Sequence, residues 1–360
     1  MRRLLATAGI AVLLAGCAAA APRTLHYGVE DAPEGNRLLW PRPPEVPRYL
    51  YAGQLIGEAN FHREQAQPGE SVRSFFAWLA GLAVGEKAPE TLRRPQNGVV
   101  DERGRIYVTD VSAAAVYVFD SAAGTLSAWD RAEGLAGFRS PTGIALGPGG
   151  RVLVADAELG LIAQLDRDGN PVASIGRGVL QRPTGLAYDA ARGRIYVADT
   201  QAHDIKVFDE QGTLQTVIGR RGSSEGEFNF PTYLTLAGGE LYVTDSMNSR
   251  IQVLSPQDGQ VRLRFGTLGL YVGNLVRPKG VAVDSDGNIY VVESYYDHLL
   301  VFNRHGEFLM GIGGAGQATG RFFLPSGVWV DSRDRVFVAD TMNGRVVLYQ
   351  YLGGDADASR

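Results

Sequence analysis

An all-β fold assembled from a repeated multi-stranded unit is predicted by three observations. First, one cassette recurs six times between residues 95 and 340: a proline, a short apolar run, a Gly-containing turn, and a second apolar run closed by an acid. The prolines are Pro95, Pro141, Pro183, Pro231, Pro278 and Pro325, and the acids are Asp110, Asp156, Asp199, Asp245, Glu293 and Asp340. Second, the period of roughly 40 to 50 residues is the mark of a radial β architecture and not of a two-layer domain. Third, glycine is abundant, at 46 of 360 residues, which suits many tight turns better than many helices.

Taken in order, the chain opens with Arg2 and Arg3 before an apolar stretch from Leu4 to Leu14. That stretch is too short to span a bilayer and suits a secretory leader over residues 1–16. It ends in Leu14, Ala15, Gly16 and Cys17, a quartet that resembles the bacterial lipobox and implies cleavage before Cys17 and lipidation of its thiol. An ordinary leader cut near Ala19 to Ala21 is the alternative. The chain has no other cysteine, so no internal disulfide forms and acylation is the natural use of the thiol. Ala18, by resemblance to lipoprotein sorting, points to the outer membrane and a body facing the periplasm.

Hydrophobic residues make up 45% and charged residues 21%, and no other apolar stretch is long enough to cross a membrane, so one soluble unit is expected. The formal net charge is −4; removing residues 1–16 takes away Arg2 and Arg3 and leaves −6. A mildly acidic body is poorly suited to tracking phosphate backbones, so no nucleic-acid partner is expected.

Residues 17–47 carry Pro22, Pro33, Pro41, Pro43, Pro44 and Pro47 with little periodicity and read as an extended tether. Tyr49 to Ala52 is a strand-like run, and Gly53 to Phe61 looks like the loops that close later cassettes. The largest insertion covers 62–93. Within it Val72, Phe75, Phe76, Leu79 and Leu82 recur at helical spacing after Ser71, a suitable N-cap, and predict a helix that either packs over the body or offers a docking surface.

Each complete cassette offers four strands, in the third Gly185 to Tyr188, Ile195 to Ala198, Ile205 to Phe208 and Leu214 to Ile218. The sixth runs out after three: Gly327 to Val330, Val336 to Ala339 and Val346 to Tyr349. The run from Tyr49 supplies the missing outer strand and closes a ring that would otherwise expose unpaired edges. The expected fold is therefore a six-bladed β-propeller over 48–352, closed by an N-terminal strand, with one helical insertion and a polar tail at 353–360. Second strands such as Ile195, Tyr196, Val197 are uninterrupted apolar triplets that need burial on both faces. Third strands such as Ile205, Lys206, Val207 and Ile251, Gln252, Val253 alternate, which predicts a place nearer the solvent rim.

The segments RPTGLAYDAARGRIYVADT from Arg182, LYVTDSMNSRIQVL from Leu241 and LPSGVWVDSRDRVFVADTMNGRVVLY from Leu324 resemble NHL repeats, and the chain resembles a bacterial NHL-repeat lipoprotein over about residues 48 to 350. The resemblance implies the six-bladed fold but no single activity. NHL propellers include RNA-binding, protein-binding and sensor modules, and related six-bladed folds include lyases and lactonases.

The six acids end second strands immediately before turns, where Asp accepts local backbone N–H groups, and they read as structural. Asn248 with Arg250, and Asn343 with Arg345, belong to the same turn framework. Cassette two departs from it at Glu158 to Leu161, which predicts a looser turn. The turns joining first to second and third to fourth strands share one face and are short, as in DERGR from Asp101 and DRDGN from Asp166. The opposite face carries the long crossings from Gly219 and Gly266 and is the expected binding face. Arg182, Tyr233, Arg277, Lys279, Tyr295 and Tyr296 are its candidate contacts, because Tyr and Arg combine apolar area with hydrogen bonding.

The residues after each cassette proline, where a propeller active site collects its acids and histidines, are Gln96 and Asn97, Thr142 and Gly143, Thr184 and Gly185, Thr232 and Tyr233, Lys279 and Gly280, Ser326 and Gly327. None is a carboxylate or histidine, so neither a metal nor another cofactor is expected there. The histidines are scattered, and His203 and His298 read as exposed turn residues. No nucleophile elbow occurs, and GIGGAG from Gly311 lacks the spacing and following helix of a nucleotide loop. The expected function is a lipid-anchored, non-catalytic and monomeric envelope module for a protein, peptide or glycan partner. A metal-dependent hydrolase or lyase of the six-bladed type is the alternative.

Overall fold

The computed structural model describes residues 23–29, 37–63 and 89–353, so the leader with Cys17, the expected helix at 71–82 and most of the polar tail lie outside the described residues. Blade one is formed by Pro95–Val100, Ile106–Asp110, Ala115–Asp120 and Thr125–Trp129 in antiparallel order. Blades two to five repeat this pattern from Pro141, Pro183, Pro231 and Pro278. Blade six has Val328–Val330, Arg335–Asp340 and Arg345–Tyr351 from the C-terminal cassette, and Tyr49–Leu55 pairs antiparallel with the last of these, from Val346↔Leu55 to Tyr351↔Tyr49. The chain is thus an all-β six-bladed propeller closed by its N-terminal strand. No described helix is long and apolar enough to cross a membrane.

The segment read as a tether does more than connect. Leu39–Trp40 adds a fifth strand outside Tyr49–Leu55, and Arg23–Leu25 pairs with Phe61–Arg63, the start of the insertion. Arg23 pairs with Glu58 at 2.9 Å, and the Trp40 ring meets the Tyr349 ring edge-on at 5.4 Å. The prolines hide these two short pairings from a periodicity argument, since each strand has only two or three residues.

Six apolar clusters lie between the blades, one at each interface around the ring. Their density explains the apolar triplets, because each second strand is covered on both faces by neighbouring blades. The third strands are buried too, against the expectation of a rim position. Their polar residues are internal and bonded: Lys206 bridges Asp199 and Asp204 at 2.8 and 2.7 Å, while Gln252 donates to the Glu227 carbonyl at 2.9 Å. Alternation here records internal hydrogen bonding, and the true rim is the fourth strand, as in the largely exposed Leu214–Ile218. Nor is the second blade's turn loose. Asp156 Oδ1 accepts the N–H groups of Glu158 and Leu159, and the chain reverses at Gly160, whose φ of 64° suits glycine.

Candidate functional site

The inner strands set the geometry of the channel mouth. At the second position after the proline, four blades have glycine because adjacent inner strands nearly touch: a Cβ on Gly143 would lie 2.1 Å from the Thr184 carbonyl oxygen, and one on Gly327 2.3 Å from that of Gln96. Blades one and four instead carry Asn97 and Tyr233. Tyr233 reaches across the axis to donate its hydroxyl to the Gln96 carbonyl of blade one at 3.3 Å. Burial pushes its phenol up to about 12, so the group stays a neutral donor. The Tyr233 ring thereby floors the mouth. Beyond it, a channel cavity of about 250 Å³ is lined by apolar side chains including Val99, Leu146, Leu236, Val283 and Trp329.

At the first position after the proline, hydroxyls stitch blade to blade. Thr142 donates to the Pro183 carbonyl at 3.3 Å, Thr184 to that of Thr232 at 2.6 Å, and Ser326 to that of Gln96 at 2.9 Å. The Thr232 hydroxyl pairs with Ser246, whose hydroxyl reaches the Pro278 carbonyl at 2.9 Å. Gln96 folds back on carbonyls of its own blade. Lys279 stands at this position in blade five, and its amine has no hydrogen-bond or ion-pair partner among the described residues. Burial, then the neighbouring Arg277 and Arg94, holds that amine below its ordinary value.

The six repeated acids sit beneath this surface with their oxygens turned inward. Asp110 accepts the N–H groups of Arg93, Arg94, Ser112 and Ala113, tying the incoming crossing to the outgoing turn. Asp156 holds Arg139 and Ser140 in the same way, Asp199 holds Gln181 and Arg182, and Glu293 holds Arg277 and Tyr296. Asp245 and Asp340 take one crossing N–H each, from Asn229 and Phe323, and a buried guanidinium, Arg250 at 2.8 Å and Arg345 at 2.7 Å. His203 is buried, not exposed: its Nδ1 accepts the Phe230 N–H at 3.1 Å and its ring packs on that of Phe230. The Phe230 N–H sits in a crossing that His203 completes, which its turn position did not reveal. Among the described residues no three His, Cys, Asp or Glu side chains come together as a metal site would require.

Of the six candidate contacts, Arg277 and Lys279 flank Pro278, and Arg182 is exposed at the equivalent crossing of blade three. Tyr295 and Tyr296 meet edge-on at 4.9 Å on the turn beside Arg277, whereas Tyr233 is buried as the channel floor. Sequence reasoning placed the crossing from Gly266 on this face but did not single out its exposed apolar residues. In the crossing between blades four and five, Leu268 is 71% exposed and Leu270 and Tyr271 are each 82% exposed. Leu270, Tyr271 and Val272 form a small pocket of about 130 Å³ with Tyr296 and His298. Phe230, Met247, Phe323, Leu324 and Met342 are exposed on the same face, while Val46 and Leu352 are exposed at the opposite end, beside the short turns.

This geometry is that of a six-bladed β-propeller, and a family model described as 6-bladed beta-propeller matches residues 187–261 and 275–356, less than half of the chain. The more particular likeness is to NHL-repeat proteins. The chain is 32% identical over 139 residues to protein brain tumor of Drosophila melanogaster, covering 38% of this chain and 13% of that protein. It is 29% identical over 153 residues to NHL repeat-containing protein 2 of Bos taurus, covering 33% and 21%. The chain therefore spans only a small part of these relatives' length. A gluconolactonase from Xanthomonas campestris shares the fold, with a TM-score of 0.56 at 17% identity over 72% of this chain and 86% of that one.

Proposed function

We propose that this protein is a non-catalytic binding module that engages a protein partner through its long-loop face. The observation that carries this reading is the concentration of exposed apolar side chains on the long-loop face, where Leu268, Leu270, Tyr271 and Tyr295 stand out, with fewer, such as Val46 and Leu352, beside the short turns of the other face. Exposed apolar patches with tyrosine and arginine at their edge are a mark of protein interfaces. The similarity to NHL-repeat proteins, among them an E3 ubiquitin-protein ligase, NHLRC1, of Homo sapiens, supports a protein partner over a small substrate. A peptide or glycan ligand would use the same face.

The test is site-specific photo-crosslinking in cells, with the probe at Tyr271 or at Asp168 in a short turn. A discrete adduct at position 271, absent at 168 and removed by Leu270→Asp, is expected. Equal adducts from both faces would reject the assignment.

The body is further proposed to be held at the cell envelope through lipid on Cys17, on the strength of the Leu14–Cys17 motif and the absence of a second cysteine. Labelled fatty acid should enter the wild-type chain and not Cys17→Ser. Incorporation into both would remove the anchor from the account.

A further inference from the structure

The chain contains three lysines, Lys87, Lys206 and Lys279. The two in the described part of the fold have opposite surroundings. Lys206 lies between two carboxylates, those of Asp199 and Asp204. Lys279 is half-buried at the channel mouth and has none among the described residues. A sequestered ammonium without a counter-charge opposes folding, so a structural purpose would have to return that cost.

No structural purpose is visible at this position. The other blades place hydroxyls or a glutamine there and use them on carbonyls or, at Thr232, on the Ser246 hydroxyl. At the matching point of blade five the link to blade six is a backbone one, the Gly280 N–H donating to the Ser326 carbonyl at 2.8 Å, and Lys279 takes no part in it. The lysine side chain is thus spare. The charged groups that bear on it are both cations, Arg277 on its own blade and Arg94 on blade one, and neither guanidinium has a partner among the described residues. The acids of the surrounding turns, Glu293 and Asp110, are occupied by backbone N–H groups. Beneath lies the Tyr233 ring, its hydroxyl already donating to Gln96. The result is a half-buried ammonium above the Tyr233 ring, with exposed Arg277 and Arg94 close enough to bear on it and no opposing charge among the described residues.

We propose that this mouth is an oxyanion site in which Lys279, Arg277 and Arg94 bind one carboxylate or phosphate group. The ammonium provides a compact charge at the centre, and the two guanidinium groups provide planar N–H forks that fit such oxygens. Lys279 lies just beyond the crossing that carries Leu268–Val272, and its anion site stands whether or not that crossing meets a protein.

The experiment is amine acylation of the full chain, read by mass spectrometry at Lys279 with Lys206 as internal reference, in inorganic phosphate or in succinate at constant ionic strength set with chloride. One of the two oxyanions should slow labelling of Lys279 about tenfold at a concentration about ten times its dissociation constant, leaving Lys206 unchanged. Phosphate alone protecting would assign a phosphoryl ligand, and succinate alone a carboxylate. The same anion should raise the thermal midpoint of the wild type and not that of Lys279→Met. Equal labelling rates with and without both anions, or an equal thermal response of wild type and variant, would overturn the proposal. The labelling arm uses only wild-type protein and so is decisive even if the variant folds poorly.

Discussion

At the residue scale, the buried charges of the described fold are answered, and the half-buried charge of Lys279 is not. Asp245 and Arg250 are both buried, and each satisfies the other together with backbone groups of the crossing before the blade. Lys279 has no such answer. Replacing it with Met keeps the aliphatic stem and removes the unpaired charge, so Lys279→Met should stabilise the folded state by about 1 kcal/mol at neutral pH. The pH dependence has a defined sign. The folded-state value of Lys279 lies below the ordinary lysine value, through burial, Arg277 and Arg94. The folded chain therefore binds this proton more weakly than the unfolded chain, and the penalty is in full force below the lowered value. It fades as pH rises toward the ordinary lysine value. Urea unfolding of wild type and Lys279→Met should converge in that alkaline window, and a constant difference across it would show that Lys279 carries no such penalty.

At the element scale, the legibility of the chain followed the length of each pattern. Pro183 with Asp199 marks a hairpin because proline, apolar run, turn and acid recur in phase, and the structure pairs Pro183 with Asp199 directly. Single strands were harder to place. Lys206 and Gln252 looked like rim residues, since nothing local shows that Asp204 or the Glu227 carbonyl would meet them in the interior. The site was half visible. Lys279 and Tyr233 entered the candidate contacts through the face they were expected to share and their side-chain chemistry. Leu270 and Tyr271 did not, because an apolar residue in a long crossing is as easily buried as exposed until the crossing is placed. Blade six gives this scale its own prediction. A chain lacking residues 1–36 retains Leu39–Trp40 and Tyr49–Leu55 and should fold, whereas one lacking residues 1–56 leaves Arg345–Tyr351 unpaired on its outer edge and should aggregate or lose cooperative unfolding. Two equally cooperative urea transitions would mean that the N-terminal strand is dispensable.

At the scale of the whole molecule, six similar blades make a ring whose stability lies in its interfaces, each with its own apolar cluster. Closure happens twice between the chain's distant parts. Tyr49–Leu55 pairs with Arg345–Tyr351 at the outside of blade six, and at the axis the hydroxyls of Ser326 and Thr341 reach carbonyls of Gln96 and Pro95 in blade one. A closed ring fixes two faces, one of trimmed turns and one of long crossings, and so places the apolar crossing and the unpaired cations on a rigid frame. Such a frame presents loops at little ordering cost on binding, which suits recognition.

Amide hydrogen exchange of the intact chain reads this ring closure residue by residue. Amides of Tyr49–Leu55 that donate to Arg345–Tyr351 should exchange as slowly as those of the second strands, such as Ile195–Ala198. Rapid exchange over 49–55 while the second strands remain protected would contradict a ring closed by the N-terminal strand.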